Sequence, residues 1–156
     1  MPKILNAKDT VSGSLAECYI TIDDNRYNFM QATKVEAKME KNKTEVAILG
    51  KTGKGNKATG WKGTGSATFH YNQSILRRYL YKFKESGKDM YFDMMIINED
   101  PTSSAGRQTV ILKDCNFDGG ILAKIDTGSD TLDEDMDFTF EDWEMPEEFN
   151  ELTGME

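Results

Sequence analysis

The sequence predicts a mainly β domain of about seven strands with one helix, and three observations lead there. Residues 61–71 alternate with a period of two: Trp61, Gly63, Gly65, Ala67, Phe69 and Tyr71 are small or aromatic, while Lys62, Thr64, Ser66, Thr68 and His70 are polar. That is the pattern of a strand with one buried face. Apolar residues at helical spacing form one clear set, Ile75, Leu76, Tyr79, Leu80 and Phe83. The 156 residues are 38% hydrophobic and 29% charged, which leaves a thin core. Such a core suits a sheet covered by one helix, or a sheet that completes its burial against other copies of itself. The length is that of one domain, 1–156, with an irregular arm at 1–14 and an acidic tail at 146–156.

Taken in order, residues 17–22 are rich in strand formers, and Asp23, Asp24, Asn25 and Arg26 form a turn, so the chain returns from Tyr27 as the second arm of a hairpin. This arm is expected to run over 27–40, with Tyr27, Phe29, Val35, Ala37 and Met39 on one parity and Lys34, Glu36, Lys38 and Glu40 on the other. Residues 42–60 read as a long, mobile, basic contact loop around the short apolar run Val46, Ala47, Ile48 and Leu49. In the strand that follows, Gly63 and Gly65 fall on the buried side. With no side chain there, another backbone or an aromatic ring must come close, as in a strongly bent or closed sheet. The helix starts after Ser74 as N-cap and stops at Gly87. Residues 90–97 are apolar on both sides, hence a central strand. Residues 107–117 form another strand, and Gly119 and Gly120 permit a bend into a further strand at 121–125. The last strand covers 132–141, with Met136, Phe138 and Phe140 on one side and Asp135, Asp137, Thr139 and Glu141 on the other.

The net charge of -8 argues against general affinity for nucleic acid, which needs a surplus of Lys and Arg. Its distribution is more informative. Between Gln31 and Met90 there are 13 bases against 5 acids, a surplus of +8; from Thr131 onward there are 11 acids and no base. A subunit that repeats head to tail can use such a split directly. No apolar leader or membrane-length run is present, so the protein is expected to be soluble and made in the cytoplasm. Cys18 and Cys115 are isolated and read as reduced, semi-buried strand residues.

Motifs that would carry chemistry fail on inspection. Gly50 and Gly55 have the separation of a phosphate-binding loop, but Asn56, Lys57 and Ala58 replace its Lys-Ser/Thr pair and a strand follows where a helix is required. The acidic stretch 126–137 lacks the EF-hand spacing, since Gly128 is at its third position instead of its sixth. His70, the single histidine, has no nucleophile in a recognisable turn motif. The expectation is a non-enzyme without metal or cofactor.

Several segments together resemble one family: residues 35–46, residues 59–69, Asn116, Phe117 and Asp118, and residues 138–147 with Phe138, Thr139, Phe140, Glu141 and Asp142. They are similar to the XkdM-like tail-tube proteins of contractile-tailed phages, PBSX-type defective prophages and phage-derived bacteriocins. The resemblance implies an antiparallel β-sandwich or half-barrel with a flanking helix and a long β-hairpin loop. It further implies a structural protomer that forms hexameric rings, stacked as a hollow tube inside a contractile sheath. Expected partners are other copies of the chain, sheath, tape-measure and baseplate proteins, and DNA in passage if the particle is a phage; no membrane is involved. The expected location is the tail of a virion or phage-like particle assembled in the bacterial cytoplasm. The alternatives are a closed hexameric ring of a related secretion or injection apparatus and, from another class, a monomeric β-barrel binding a small ligand.

On the tube reading, residues receive roles. Val46, Ile48, Leu49, Lys51, Lys54 and Lys57 are expected to form a contact loop between rings, reaching Asp133, Glu134 and Asp135 of a neighbour. Lys34, Glu36, Lys38, Glu40, Asp137 and Glu141 are expected to line the lumen.

Overall fold

The computed structural model describes residues 3–155; Met1 and Pro2 of the expected arm and Glu156 of the expected tail lie outside them. The elements are β1 (Ala16–Ile22), β2 (Asn25–Asn28), β3 (Ala32–Val46), β4 (Gly55–His70), α1 (Ile75–Ser86), β5 (Phe92–Glu99), β6 (Arg107–Phe117), β7 (Asp133–Phe140) and β8 (Asp142–Glu147). The arm before β1 is irregular apart from a 3-10 turn at Ala7–Asp9. The strands form one antiparallel sheet in the order β2-β1-β5-β6-β7-β4-β3, with β8 paired to β6.

Strand β6 is where the sheet folds over. It pairs with β5 over 107–115 and with β8 over 109–113, then with β7 at Asn116 and Phe117. At the bulge in the β5 ladder, just before the switch to β7, Asp114 is left-handed, with φ 52°, and its N–H donates to Asp93 Oδ1 at 3.3 Å. Asp tolerates this backbone region better than most residues. One half of the sheet is therefore β2-β1-β5-β6-β8 and the other β6-β7-β4-β3, and their inner faces share one core. Ile20, Ile22, Met94 and Leu112 come from the first half, Phe69, Met136 and Phe138 from the second. Each such side chain contributes roughly 1.5–3 kcal/mol by leaving water. The expected half-barrel is thus the observed architecture, with eight strands instead of about seven.

Local chemistry explains the turns. Ile22 faces Asn25 across a two-residue loop in which Asp23 and Asp24 have φ of 49° and 66°. Two positive φ values make this a type I′ hairpin, whose twist matches that of the strands. Helix α1 closes one end of the fold, burying Leu76 and Tyr79. Its C-terminus is as expected: Gly87 is left-handed and its N–H donates to Phe83 O at 2.8 Å. Its N-terminus is different. Ser74 makes no side-chain cap, and Gln73 Oε1 instead accepts the Leu76 N–H at 3.3 Å.

Four departures from the sequence reading have clear causes. The arm expected over 27–40 is two strands, because the chain crosses from one half of the sheet to the other at 29–31; Phe29 N–H donates to Cys18 O, and Gln31 O accepts from His70 N–H. The loop expected over 42–60 is mostly ladder, since β3 and β4 stay paired to Val46 and Gly55 and leave only 47–54 unpaired. Residues 121–125 form no strand. Side-chain cations hold the neighbouring segment instead, with Arg77 donating to Ile121 O at 3.4 Å and Lys124 to Asp133 O at 2.7 Å. Finally, β8 occupies 142–147, beyond the last strand expected over 132–141 and into the tail expected from 146. It is exposed throughout, and it accommodates Pro146 where its register with β6 shifts between Thr109 and Ile111. An edge strand with a bulge is where a sheet accepts proline.

Cys18 and Cys115 are buried and unpaired, more deeply than expected, and burial pushes each thiol up to about 12. Thiolate is the reactive form, so iodoacetamide at pH 8 should label neither cysteine in the native protein and both in urea. Rapid native labelling would show that the core opens. Both folded values lie above the ordinary 9.0, so this contribution to stability is complete below pH 9 and is lost as pH rises toward 12.

Candidate assembly surfaces

The ladder register sorts the side chains of β3, β4 and β7 into two faces. Lys34 faces Thr68, Glu36 faces Ser66, Lys38 faces Thr64 and Glu40 faces Lys62; Thr68, Ser66 and Thr64 in turn face Asp135, Asp137 and Thr139. Directly paired residues in an antiparallel ladder share a face. The result is a continuous polar surface of hydroxyls and charges. Lys34 lies 3.9 Å from Glu36, Lys62 lies 3.6 Å from Glu40, Thr68 donates to Asp135 at 2.7 Å, and His70 Nδ1 is 2.8 Å from Asp133 Oδ1. Three lysines (34, 38 and 62) share this face with five carboxylates (36, 40, 133, 135 and 137), so it is acidic on balance. Asp118, which the sequence did not single out as a charge here, adds to the same shallow depression beside Asp137.

The opposite face is the glycine seam. Gly63 pairs with Phe140 and Gly65 with Phe138, while Ala67 pairs with Met136. A Cβ on Gly63 would sit 2.4 Å from the Phe140 ring, and one on Gly65 would sit 2.3 Å from Phe138 and 2.8 Å from Glu36 O. The two phenyl rings lie flat against bare backbone, as expected for glycines on a buried strand face.

Beyond the seam the hairpin runs free. Strand β7 accompanies β4 only over 63–70, so residues 55–62 of β4 are paired to β3 alone. Eight residues carry this two-stranded ribbon about 26 Å past its neighbour. Among the described residues, the 15-residue β3 is paired only on its β4 side, leaving its other edge open. At the tip Leu49 is fully exposed, and Ile48 lies over Gly55 at 3.1 Å from where a Cβ would be. Lys51, Lys54 and Lys57 are exposed, with Lys54 3.7 Å from Glu45. At the ribbon's base Met39 and Trp61 are half-exposed on the glycine side, and Trp143 Nε1 donates to the Met39 sulfur at 3.4 Å; Met145 is similarly exposed. Trp143 and Met145 belong to β8. Their odd-numbered spacing was the available signal, masked by the glutamates and proline around them.

At the helix end, Glu134 is wholly buried. Its carboxylate accepts from Arg77 at 2.5 Å and from Gln73 Nε2 at 2.6 Å, and Arg77 also donates to Gln73 O and stacks 4.4 Å above the Tyr71 ring. This corrects one expectation. Glu134 shares parity with Met136 and Phe138, so it points into the core and is unavailable to a neighbour's loop. Asp133 and Asp135 are on the polar face with the residues expected to line a lumen. Lys34, Glu36, Lys38, Glu40 and Asp137 are indeed brought onto one surface, whereas Glu141 sits in the bend after β7, outside the ladder. The gap beneath α1 bounded by Leu76, Phe83, Phe117 and Met136 is about 20 Å³. That is room for about one water and far below the ~300 Å³ of a small-ligand pocket.

Comparison with known proteins agrees with this geometry. The chain is 35% identical over 147 residues to the phage-like element PBSX protein XkdM of Bacillus subtilis, covering 94% of this chain and 97% of that one. Its fold matches a chain of the anti-feeding prophage baseplate, with a TM-score of 0.63 at 12% identity over 93% of this chain and 95% of that one. It also matches the SPP1 tail tube, with a TM-score of 0.62 at 7% identity over 94% and 83%. Residues 3–147 match the model of the phage tail tube protein family, and the chain belongs to that family.

Proposed function

We propose that this chain is the protomer of a hollow tail tube: six copies form a ring, rings stack head to tail, and the polar face of β3, β4 and β7 lines the bore. The observation that carries this reading is the incomplete half-sheet. A ribbon reaching about 26 Å past its neighbours and an open 15-residue edge on β3 leave backbone donors and acceptors that a second copy can satisfy. The protomer is a structural subunit and not an enzyme. A contractile sheath surrounds the tube, and tape-measure and baseplate proteins meet it at its ends. The particle is a phage or a phage-derived injection machine assembled in the bacterial cytoplasm.

An acidic, hydroxyl-rich bore built from Glu36, Glu40, Asp137, Thr64 and Ser66, with Lys34 and Lys38 interspersed, repels phosphates and prevents passing DNA from adhering. A tube whose bore proves apolar or strongly basic sinks this assignment. Electron microscopy of the concentrated protein tests the main reading: rings or tubes support it, and a strict monomer overturns it.

In the stacked tube, Val46, Ile48, Leu49, Lys51, Lys54 and Lys57 contact the next ring, with Asp133 and Asp135 at the margin of the polar face as acidic counterparts. Each exposed ion pair stabilises by only ~0–1 kcal/mol, so single substitutions should leave assembly intact. Reversing Lys51, Lys54 and Lys57 together to Glu repeats the loss along the polymer. Light scattering should then show slower polymerisation at low salt. The parent should slow in 1 M salt, where screening shortens the Debye length to ~3 Å. A triple variant that polymerises like the parent removes charge from this contact.

A further inference from the structure

Two surfaces at opposite ends of the fold have complementary chemistry. At the helix end lies an open cleft of about 980 Å³, lined among others by Tyr71, Ser74, Arg78, Tyr81, Lys84 and Leu122. Its apolar walls are bare, with Tyr81 61% and Leu122 73% exposed. Its charges are not consumed internally. Arg77 belongs to the buried pair with Glu134, but Arg78 rests 5.7 Å over the Tyr79 ring, and Lys84 lies 5.0 Å over the exposed Tyr81 ring and 3.1 Å from the exposed Glu85 next to it in sequence.

At the far end, residues 148–155 leave β8 and are tied down where Asn150 N–H donates to Ala105 O at 2.6 Å, on the turn between β5 and β6. Glu148 and Glu151 are exposed there, beside half-buried Phe149 and Leu152 and exposed Met155. Strand β5 begins beside the helix end and finishes at this turn after eight residues. The two surfaces are therefore about 26 Å apart along the strand, and one copy cannot bring its own acidic segment into its own cleft.

We propose that the basic cleft beside α1 receives the acidic 148–155 segment of a neighbouring copy. Glu148 and Glu151 meet Arg78 and Lys84, and the apolar side chains of the segment cover Tyr81 and Leu122. Because the two surfaces differ and lie at opposite ends, the contact is heterologous and repeats without closing on a pair, the property a stacking subunit needs. Opposite charge steers the encounter and selects the direction. This inference rests on the tube reading and names a contact separate from the hairpin tip.

Two reversal variants of the full chain test it: one carrying Arg78→Glu and Lys84→Glu, the other Glu148→Lys and Glu151→Lys. Each alone opposes like charges at every junction and should sediment roughly fivefold less polymer than the parent at low salt. In an equimolar mixture, each variant's segment finds a cleft of opposite sign in the other, and polymer should recover to about half the parent's amount or more. A mixture as poor as its components overturns the proposal. So does a parent-like yield from either variant alone, the result if the cleft serves a different acidic protein. Melting temperatures check that each variant is folded. Should one fail to fold, Leu122→Cys and Leu152→Cys in an otherwise parental chain replace it: oxidised tubes should then contain disulfide-linked copies, and their absence overturns the contact. If the parent forms neither rings nor tubes, the tube reading itself fails; if it forms them and the variants are unaffected, only this contact does.

Discussion

Replacing Arg77 by methionine is expected to cost about 3–5 kcal/mol of folding stability, the range for leaving one member of a buried ion pair without its partner. Glu134 has no access to water, and its remaining hydrogen bond, from Gln73 Nε2 at 2.6 Å, cannot neutralise a carboxylate. The same change removes the hydrogen bond from Arg77 to Gln73 O at the start of α1. Urea denaturation gives the measurement, read as a shift in midpoint. Adding Glu134→Gln should recover at least half of the loss, because it removes the stranded charge, keeps the shape and still accepts from Gln73. If Arg77→Met alone lies within about 1 kcal/mol of the parent, the pair does not hold this corner.

Alanine at Gly65 is expected to be nearly as damaging. Its Cβ would meet Phe138 at 2.3 Å and the backbone oxygen of Glu36 at 2.8 Å. A ring can turn aside, but the neighbouring strand moves only by disturbing the β3–β4 ladder. Overpacking of this kind costs about 1–3 kcal/mol, and the double close approach places Gly65→Ala near the top of that range. At 2–4 °C per kcal/mol for a chain of this size, the melting temperature should fall by about 6–12 °C. Phe138→Leu in the same chain should cost less than it does in the parent, since the two residues compete for one space. A melting temperature within about 2 °C of the parent would mean that the seam is looser than the structure has it.

The two variants also separate folding from assembly. Gly65 lies on none of the proposed contact surfaces, and Arg77, though it borders the basic cleft, has its charge taken up by Glu134. Their effects should appear in the isolated subunit at any salt concentration, whereas the charge reversals should appear only in polymerisation and fade with salt.

Much of this architecture was legible from residue order because it depends on periodicity and local backbone preference. The alternation in 61–71, with Gly63 and Gly65 on the buried parity, announced both the strand and the close approach of an aromatic ring. Spacing from Ile75 to Phe83 with Gly87 behind it announced the helix, and unbroken apolarity around Met94 and Ile97 announced a central strand. The parity of Lys34, Glu36, Lys38 and Glu40 correctly placed them on one surface, because side chains in a strand must alternate.

What only the tertiary structure decided depends on partners distant in sequence. Residues 42–46 and 55–60 carry no apolar alternation to mark a strand, yet they are held by the ladder they form with each other. Strand β8 exists because β6 offers it a free edge and because Lys113 meets Glu144 at 2.7 Å and Arg107 meets Glu147 at 3.4 Å. A run of glutamates around Pro146 has no such preference of its own. Glu134 is the sharpest case. Its parity pointed inward, but a carboxylate in the core is tolerable only where a cation and a donor are waiting, and Arg77 of α1 and Gln73 just before it, some sixty residues earlier, reach it. A residue's own chemistry determines which face of a strand it can occupy; whether that face is core, bore or contact is determined by what the fold sets against it.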